Sequence, residues 1–266
     1  MSILDNIVAA KRREVALQQE LYPVKLLERS MYFESKCLSL KEYILRPDLY
    51  GIIAEFKRKS PSKGIINEFA IPKEVCLGYM QSGASALSVL TDNPFFGGAS
   101  ADLMAARRYN FCPVLRKDFI ISEYQVIEAK SIGADAILLI AEVLSEKELA
   151  ALYALASGLG LEVLFEVHHR ESLEKLPSDA RIVGINNRNL GSFKVDVDNS
   201  VRLLNELPLG AVAIAESGID SPQSYHDLRQ AGFKGFLIGE LFMRNANPAK
   251  ALRGFIESIK SQGNGN

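Results

Sequence analysis

The sequence predicts an α/β protein: a single closed barrel of eight parallel strands that alternate with helices, preceded by an extra N-terminal helical segment. Three observations predict this fold. The chain has 266 residues, and one such barrel needs roughly 250. Eight short apolar runs recur along it, spaced far enough apart for a strand, a loop and a helix. Near-continuous apolar strands between helices are typical of a parallel sheet, and eight of them favour a (β/α)8 TIM barrel over the alternative, a doubly wound open sheet.

The composition excludes several classes of protein. The chain is 48% hydrophobic and 24% charged, as in globular proteins with a sizeable core. Its net charge of −1 gives no overall attraction to nucleic acid or anionic lipid. Three cysteines, Cys37, Cys76 and Cys112, lack the spacing of a metal site or a secreted disulfide framework. No run is apolar enough for a signal peptide or a membrane span, so we expect a cytoplasmic protein with no membrane or nucleic-acid partner.

The first residues predict an amphipathic helix, because their apolar side chains repeat at helical spacing. The apolar positions are Ile3, Leu4, Ile7, Val8 and Val15, and Lys11 has the same spacing. A second helical piece follows Pro23. We expect residues 1–48 to form a helical extension packed on the barrel, residues 49–262 to form the catalytic barrel, and residues 263–266, in the polar stretch "SQGNGN", to be a frayed tail.

The eight apolar runs predict the strands in chain order. They are "GIIAEF" from Gly51, "ALSVL" from Ala86, "PVLRK" from Pro113, "DAILLI" from Asp135, "LEVLFE" from Leu161, "IVGIN" from Ile182, "AVAIAE" from Ala211 and "GFLIG" from Gly235. Segments between them carry helix signals. "SEYQVIEAKSIG" has a Ser122 cap and a Gly133 stop, and a later segment has a capping box of Ser145 and Glu148. "SPQSYHDLRQAG" repeats the pattern before the eighth strand.

Charged residues interrupt the first apolar run, "GIIAEFKRKSPSKGII", although burying a charge is costly unless it is paired or used. Because strand side chains alternate, Ile53, Glu55 and Lys57 face the barrel interior, while Ala54 and Phe56 face the helices. The same alternation points four further strand ends into the barrel. They carry Lys117 on strand three, Glu166 on strand five, Asn186 and Arg188 on strand six, and Glu216 on strand seven.

The end of the barrel where the strands finish is where such folds carry their chemistry. Each of these residues alone would be interpreted as a solvated charge or a structural ion pair. Together, three carboxylates that face two lysines in a partly dry cavity would shift one another's pKa, as general acid and base catalysis requires. We therefore expect a catalytic site at this end.

Three glycine-bearing turns predict a phosphate site, because their backbone N–H groups can approach an anion closely. They are "SPSKG" after strand one, "ESG" after strand seven and "IGE" after strand eight. The last two lie where barrels often bind phosphate. The carboxylate of Glu240 would repel a phosphate, so we expect its backbone N–H to point inward and its carboxylate to point away.

Other candidate sites are weaker. His168, His169 and His226 lack metal-ligand spacing and are interpreted as surface or supporting groups, so no metal site is expected. The sequence has no nucleophile elbow, Walker loop or dinucleotide fingerprint after a strand. The basic run "KRKSPSK" lacks the interleaved aromatic residues of a nucleic-acid site.

Seven ordered stretches carry a family resemblance. They are "IIAEFKRKSPSKG", "ALSVLTDNPFFGG", "PVLRKDFI", "LFEVH", "GINNRNL", "AIAESGI" and "FLIGELFM", and with the N-terminal helix they span almost the whole chain. In these stretches the sequence resembles the indole-3-glycerol phosphate synthase family of tryptophan biosynthesis. The resemblance implies a carbon–carbon lyase that closes the ring of 1-(2-carboxyphenylamino)-1-deoxyribulose 5-phosphate, with loss of carbon dioxide and water. It implies this small molecule as the substrate and no metal or organic cofactor.

The resemblance also implies roles for the candidate residues. Lys117 would be the general acid of ring closure, Lys57 would hold the substrate carboxylate or assist proton transfer, and Glu166 would act in the dehydration. The residues that line the site, hold the lysines charged and engage the ribulose hydroxyls would be Glu55, Asn186, Arg188, Glu216 and Ser217. Those that hold the phosphate would be Ser60, Gly218, Gly239 and the backbone of Glu240. Phe96 and Phe119 would pack against the anthranilate ring.

The chain departs from the family's pattern after the eighth strand. It reads "IGELFM", where a small polar residue such as serine is expected in place of Leu241 or Phe242. One interpretation is that the phosphate site has fewer hydrogen bonds than in other members of the family. The other, which we favour, is that Phe242 packs its helix onto the barrel.

Two other functions fit parts of the sequence. Phosphoribosylanthranilate isomerase is also a phosphate-binding barrel, but that family places a cysteine at the end of strand one, where this chain has Glu55 and Lys57. A barrel that binds a sugar phosphate without turnover is the second alternative, and the presence of Lys117 and Glu166 favours an enzyme. The N-terminal helix covers the mouth or plugs a gap, and the resemblance favours a cover. We expect a monomer, with a weak homodimer as the alternative.

Overall fold

The computed structural model describes residues 3–187 and 197–263, and its eight barrel strands are those that the sequence predicts. The strands are β1 (Ile52–Phe56), β2 (Ala86–Leu90), β3 (Val114–Lys117), β4 (Ala136–Ile140), β5 (Glu162–Val167), β6 (Ile182–Asn186), β7 (Val212–Glu216) and β8 (Gly235–Ile238). Neighbouring strands are parallel, and β1 pairs with both β2 and β8. The sheet is therefore closed, which confirms the barrel and excludes the open sheet.

Helices connect the strands and extend the chain at both ends. They are α1 (Ile3–Leu21), α2 (Val24–Leu27), α3 (Leu40–Ile44), α4 (Pro72–Gln81), α5 (Asn93–Phe96), α6 (Ser100–Tyr109), α7 (Glu123–Ser131), α8 (Glu146–Gly158), α9 (Arg170–Leu173), α10 (Val197–Leu204), α11 (Pro222–Ala231), α12 (Glu240–Met243) and α13 (Pro248–Gly263). None of the described helices combines the length and apolar character that a membrane crossing requires.

The predicted helix signals have different outcomes. The capping box of Ser145 and Glu148 at the start of α8 is confirmed. Ser122 does occupy the N-cap position of α7, but its side chain makes no capping hydrogen bond. The side chain of Gln125 instead accepts from the backbone N–H of Ile121 at 2.8 Å. Gly133 follows α7 with a φ of 90°, a left-handed conformation that suits a helix stop.

The core has two layers, one on each side of the sheet. Ile53 and Leu164 belong to a buried cluster inside the barrel, while Ala54 and Phe56 belong to a larger cluster between strands and helices. The predicted alternation along β1 is therefore confirmed. Glu55, which lies between Ala54 and Phe56, shares the interior face with Ile53.

The N-terminal extension contacts both ends of the barrel. Leu40 and Ile44 of α3 are buried in the interior cluster, and Ser39 at the N-cap of α3 donates to Glu162 at the start of β5, at 2.7 Å. Helix α3 thus closes the end where strands begin. Ile7 of α1 belongs to the same cluster but lies at the opposite end, where it lines the mouth.

The loop after β1 contains an antiparallel hairpin of Lys59–Ser60 and Gly64–Ile65, which was not predicted. Two basic residues attach this loop to the segment after β2. Arg58 Nη2 lies 3.0 Å from Asp102 Oδ1 on α6, and Lys59 Nζ donates to the carbonyl oxygen of Pro94 at 2.8 Å. Part of the charged run therefore holds the loop in place.

Candidate active site

A cavity of about 560 Å³ opens where the barrel strands end, below the N-terminal part of α1. Thirteen of the fourteen candidate residues line it: Glu55, Lys57, Ser60, Phe96, Lys117, Phe119, Glu166, Asn186, Glu216, Ser217, Gly218, Gly239 and Glu240. Arg188 is the fourteenth and lies outside the described residues. Side chains from widely separated parts of the chain thus meet in one cavity, because parallel strands bring their carboxyl ends to the same rim.

The centre of the cavity is an ion-pair cluster around Lys117. Its Nζ atom lies 2.6 Å from Glu166 Oε2 and 3.2 Å from Glu216 Oε2. Asn186 donates from Nδ2 to the other oxygen of Glu166 at 3.0 Å. All four side chains occupy interior positions at the ends of β3, β5, β6 and β7. The ammonium group is therefore fixed between two buried carboxylates.

Gly184 makes room for this cluster and was not among the predicted site residues. It lies on the interior face of β6, opposite Glu166 in the strand register. A Cβ atom at Gly184 would lie 2.1 Å from Glu216 Oε1, closer than any stable contact. The glycine in "IVGIN" is the signal that could have identified it, since a glycine inside a strand often marks a close approach.

The two carboxylates have opposite pKa shifts. Burial opposes ionisation of Glu166, but Lys117 and His168 hold its pKa below the ordinary range. Burial raises the pKa of Glu216, and repulsion from Glu166 and Glu55 adds to the rise. Burial would lower the pKa of Lys117, but Glu166 and Glu216 raise it above its usual value. The cluster therefore keeps a charged ammonium beside one ionised carboxylate and one that holds its proton more tightly.

A second ion pair lies at the end of β1. Lys57 Nζ lies 2.6 Å from Glu55 Oε1. A Cβ atom at Gly239 would come within 2.3 Å of the same carboxylate oxygen. Gly239 is thus required by the packing of Glu55, independently of any contact with phosphate.

The turns predicted to hold phosphate lie along one side of the cavity. Ser217 and Gly218 have φ values of 66° and 73°, so the chain turns sharply after β7, and Asn187 donates to the Ser217 carbonyl oxygen at 2.6 Å. A left-handed serine is uncommon, and such strained residues are concentrated at functional sites. Gly239 is the N-cap of α12, and Glu240 is its first residue. The N–H groups that begin a helix have no partner within it and favour anions.

Two basic residues on this side were not predicted. Lys63 and Arg244 line the same cavity, and Lys63 Nζ lies 3.9 Å from Glu240 Oε1. The Glu240 side chain is therefore paired with a cation near the rim. Both residues had a signal in the sequence that could have identified them. Lys63 lies inside the predicted turn "SPSKG", and Arg244 lies four residues after Glu240, which is about one helical turn.

The opposite side of the cavity is apolar. The rings of Phe96 and Phe119 lie 6.1 Å apart between centroids, tilted by 38°. Ile3, Leu4 and Ile7 of α1 complete this side. Helix α1 therefore covers the mouth, as the resemblance implied.

The departure in "IGELFM" has a packing explanation. Phe242 is fully buried, and its ring makes edge contacts with Tyr79 at 6.1 Å and Phe255 at 5.7 Å between centroids. It attaches α12 to α4 and α13, which confirms the packing interpretation. Leu241 lines the cavity.

His168 is a supporting group, and it is not on the surface. It is 4% exposed, with Nδ1 3.1 Å from Glu142 Oε2 and Nε2 3.6 Å from Glu166 Oε1. His169 is exposed and His226 half-buried. Across residues 3–187 and 197–263, no group of three or more histidine, cysteine or acidic residues could hold a metal ion.

Comparisons with known proteins agree on one family. The sequence model described as indole-3-glycerol phosphate synthase matches residues 4–255. A relative of that name from Bacteroides thetaiotaomicron is 48% identical over 258 residues, which cover 97% of this chain and 99% of the relative. A second, from Salinibacter ruber, is 43% identical and covers 95% of this chain and 94% of its own. A third, from Clostridium kluyveri, is 40% identical with 97% and 99% coverage.

Solved structures show the same fold at low sequence identity. The 3-hexulose-6-phosphate synthase from Salmonella typhimurium superposes with a TM-score of 0.62 at 14% identity, covering 79% of this chain and 99% of that chain. A tryptophan synthase complex from Pyrococcus furiosus gives 0.59 at 14% identity, with 79% and 98% coverage. These two likenesses concern the barrel alone.

Proposed function

The chain belongs to the indole-3-glycerol phosphate synthase family, and from this premise we propose how its residues perform the reaction. It is a carbon–carbon lyase of tryptophan biosynthesis. The substrate is 1-(2-carboxyphenylamino)-1-deoxyribulose 5-phosphate, which the enzyme closes to indole-3-glycerol phosphate with loss of carbon dioxide and water. The observation that carries the assignment of roles is Lys117, held between Glu166 and Glu216 at the centre of the mouth.

The shape of the cavity suits a substrate with an aromatic ring at one end and a phosphate at the other. Phe96 and Phe119 hold the anthranilate ring on the apolar side. On the other side, Ser60, Ser217 and the N-terminus of α12 receive the phosphate, with Gly218 and Gly239 allowing close approach and Lys63 and Arg244 supplying positive charge. The reacting carbons then lie over the Lys117 cluster.

Ring closure begins when an aromatic carbon attacks the ketone of the ribulose. Lys117 donates its proton to the alkoxide that develops there. Glu166, the ionised carboxylate of the pair, is the main group that keeps the lysine charged until this step. Lys57, paired with Glu55, holds the substrate carboxylate until it leaves as carbon dioxide.

Dehydration then requires a base and an acid. Glu166 removes the proton from the ring carbon. The ammonium of Lys117 holds the pKa of Glu166 down before ring closure, so loss of the lysine proton makes Glu166 more basic when a base is needed. Asn186 orients Glu166, and the hydroxyl leaves as water with a proton from a lysine.

Fluorescence of the product tests the assignment. The chain has no tryptophan, so indole emission that grows continuously in excess substrate reports turnover. Lys117→Met should lower kcat by at least about a hundredfold with KM retained, the scale for removing a general acid. Lys147→Met, an exposed lysine on α8, is the matched control and should leave both unchanged. Near-normal turnover by Lys117→Met would refute its role, and no indole from the unmodified chain would refute the function.

Three further expectations complete the proposal. The contacts of α1 and α3 with the two ends of the barrel support a division into an N-terminal extension, residues 1–48, and a catalytic barrel, residues 49–262, with a tail at 263–266. The protein acts in the cytoplasm, as a monomer or a weak homodimer. Sedimentation at micromolar concentration distinguishes the last two.

A further inference from the structure

A chain of ionisable groups leads away from the mouth behind Glu166. His168 lies between Glu166 and Glu142, with one ring nitrogen toward each carboxylate at 3.6 and 3.1 Å. The backbone N–H of His168 also donates to Glu142 Oε1 at 2.7 Å. The backbone of His168 therefore fixes Glu142, and the His168 ring lies between the two carboxylates at ion-pair distances.

The far end of this line meets a second cavity. A space of about 280 Å³ lies between α1 and the loop after β4, lined by Glu142 with Leu4, Asp5, Val8, Ala9, Arg12 and Val143. Asp5 and Arg12 are exposed on α1, so water reaches this space. The Glu142 side chain is 15% exposed, whereas those of His168 and Glu166 are each 3% exposed. Glu142 is thus the member of the line that meets solvent.

The charges around His168 favour its protonated form. Glu142 faces it from the loop after β4, Glu166 from β5 and Glu216 from β7, with Lys117 beyond Glu166. Burial alone lowers the pKa of His168, but Glu142 and Glu166 raise it above its ordinary value. The imidazole therefore lies between two carboxylates that stabilise its protonated form.

The reaction needs a proton from solvent in each turnover. The substrate carboxylate is an anion and leaves as neutral carbon dioxide, so it supplies no proton. The ketone oxygen leaves as water and therefore needs two protons. Only one of those protons comes from the ring carbon, so one more must enter the site. The Glu166 side chain is 3% exposed, and α1 covers the mouth above it, so direct access of water to Glu166 is restricted.

We propose that Glu142 and His168 form a proton relay that connects the side cavity to Glu166, with His168 acting as a positioning residue through which the proton passes. A proton from water reaches Glu142 and passes to Nδ1 of the neutral His168 ring, and the imidazolium formed in this way gives its Nε2 proton to Glu166. The ring, left with its proton on Nδ1, returns to the Nε2-protonated tautomer by a ring flip before the next turnover. Glu166 passes it to Lys117, 2.6 Å away, and so restores the ammonium spent in ring closure. The inference rests on the proposed function, which supplies the proton balance.

His168→Gln tests the relay, because the glutamine amide keeps a polar N–H group beside Glu166 but cannot pass a proton from one side of the chain to the other. At saturating substrate in dilute buffer we expect kcat to fall on the order of tenfold or more. Added imidazole should restore it in a concentration-dependent way, while leaving the unmodified enzyme unchanged. Glu142→Gln should behave in the same way, and His169→Gln, an exposed neighbour, is the matched control.

Two results would overturn the relay. One is kcat unchanged in both His168→Gln and Glu142→Gln. The other is a loss of activity that imidazole does not restore at any concentration, which would indicate a purely structural role. Glu142→Gln decides the matter if His168→Gln fails to fold. A failure of the proposed function is distinguishable, because the unmodified enzyme would then form no indole.

Discussion

Lys11 provides a test of how the cover helix is attached. It lies in the middle of α1 and is 1% exposed. Its Nζ atom lies 3.0 Å from Asp92 Oδ2, in the segment after β2, and 2.9 Å from Asp118 Oδ1, directly after the proposed general acid. Glu14 on the same helix lies 2.9 Å away. Burial opposes the charge of Lys11, but Asp118 and Asp92 raise its pKa above the usual value.

Lys11→Met should lower the free energy of unfolding by about 3 kcal/mol. Removing one partner of a buried ion pair costs about 3–5 kcal/mol, because the other charge stays buried without compensation. The lower figure applies because Asp118 retains two other partners in the variant. Arg116 lies 3.2 Å from its carboxylate, and the Thr91 hydroxyl donates a hydrogen bond to it at 2.5 Å. The uncompensated charge is therefore mainly that of Asp92.

Urea unfolding followed by circular dichroism measures this loss. With a slope of about 3 kcal/mol per molar, the midpoint should fall by about 1 M. Arg13→Met, at an exposed position of the same helix, is the matched control and should change stability by less than about 0.5 kcal/mol. Adding Asp92→Asn to Lys11→Met should recover part of the loss. A midpoint for Lys11→Met equal to that of Arg13→Met would refute the reasoning.

Two other predictions concern the active site. Ser60→Ala should raise KM about tenfold with kcat nearly unchanged, since it removes one hydrogen bond to a charged phosphate; steady-state kinetics check this, and an unchanged KM would remove Ser60 from the phosphate site. Because the pKa of Glu216 is raised in the folded protein, the protonated side chain contributes its whole stabilisation below the pKa that Glu216 has in the unfolded chain. This contribution to the free energy of unfolding is lost as the pH rises through the pKa of Glu216 in the folded protein. Glu216→Gln should therefore gain stability relative to the unmodified chain between pH 5 and pH 9 in urea unfolding, and a difference independent of pH would contradict the shift.

Local sequence patterns were sufficient to predict the barrel and to place the candidate site residues around one cavity. Each strand is a short apolar run, and the alternation of its side chains decides which residues face the interior. Glu55, Lys117, Glu166 and Glu216 could therefore be placed at one rim without any knowledge of their contacts. The hairpin of Lys59–Ser60 and Gly64–Ile65 was missed because two-residue strands are too short to show alternation.

Features that depend on contacts distant in sequence could not be predicted. Lys11 shares the helical spacing of Ile7 and Val15, yet its burial depends on aspartates supplied by two distant loops. The line from Glu142 to Glu166 depends on a single histidine at the end of one strand and a loop after another. No periodic pattern identifies such pairs, because the fold alone brings them together.

The most direct test of the central claim is a crystal structure of Lys117→Met with unreacted substrate bound. We expect the anthranilate ring against Phe96 and Phe119, the phosphate beside Ser60 and Gly218, and the ketone oxygen within about 4 Å of the side chain at position 117. A substrate bound in the opposite direction, or a ketone far from that side chain and from Glu166, would contradict the account.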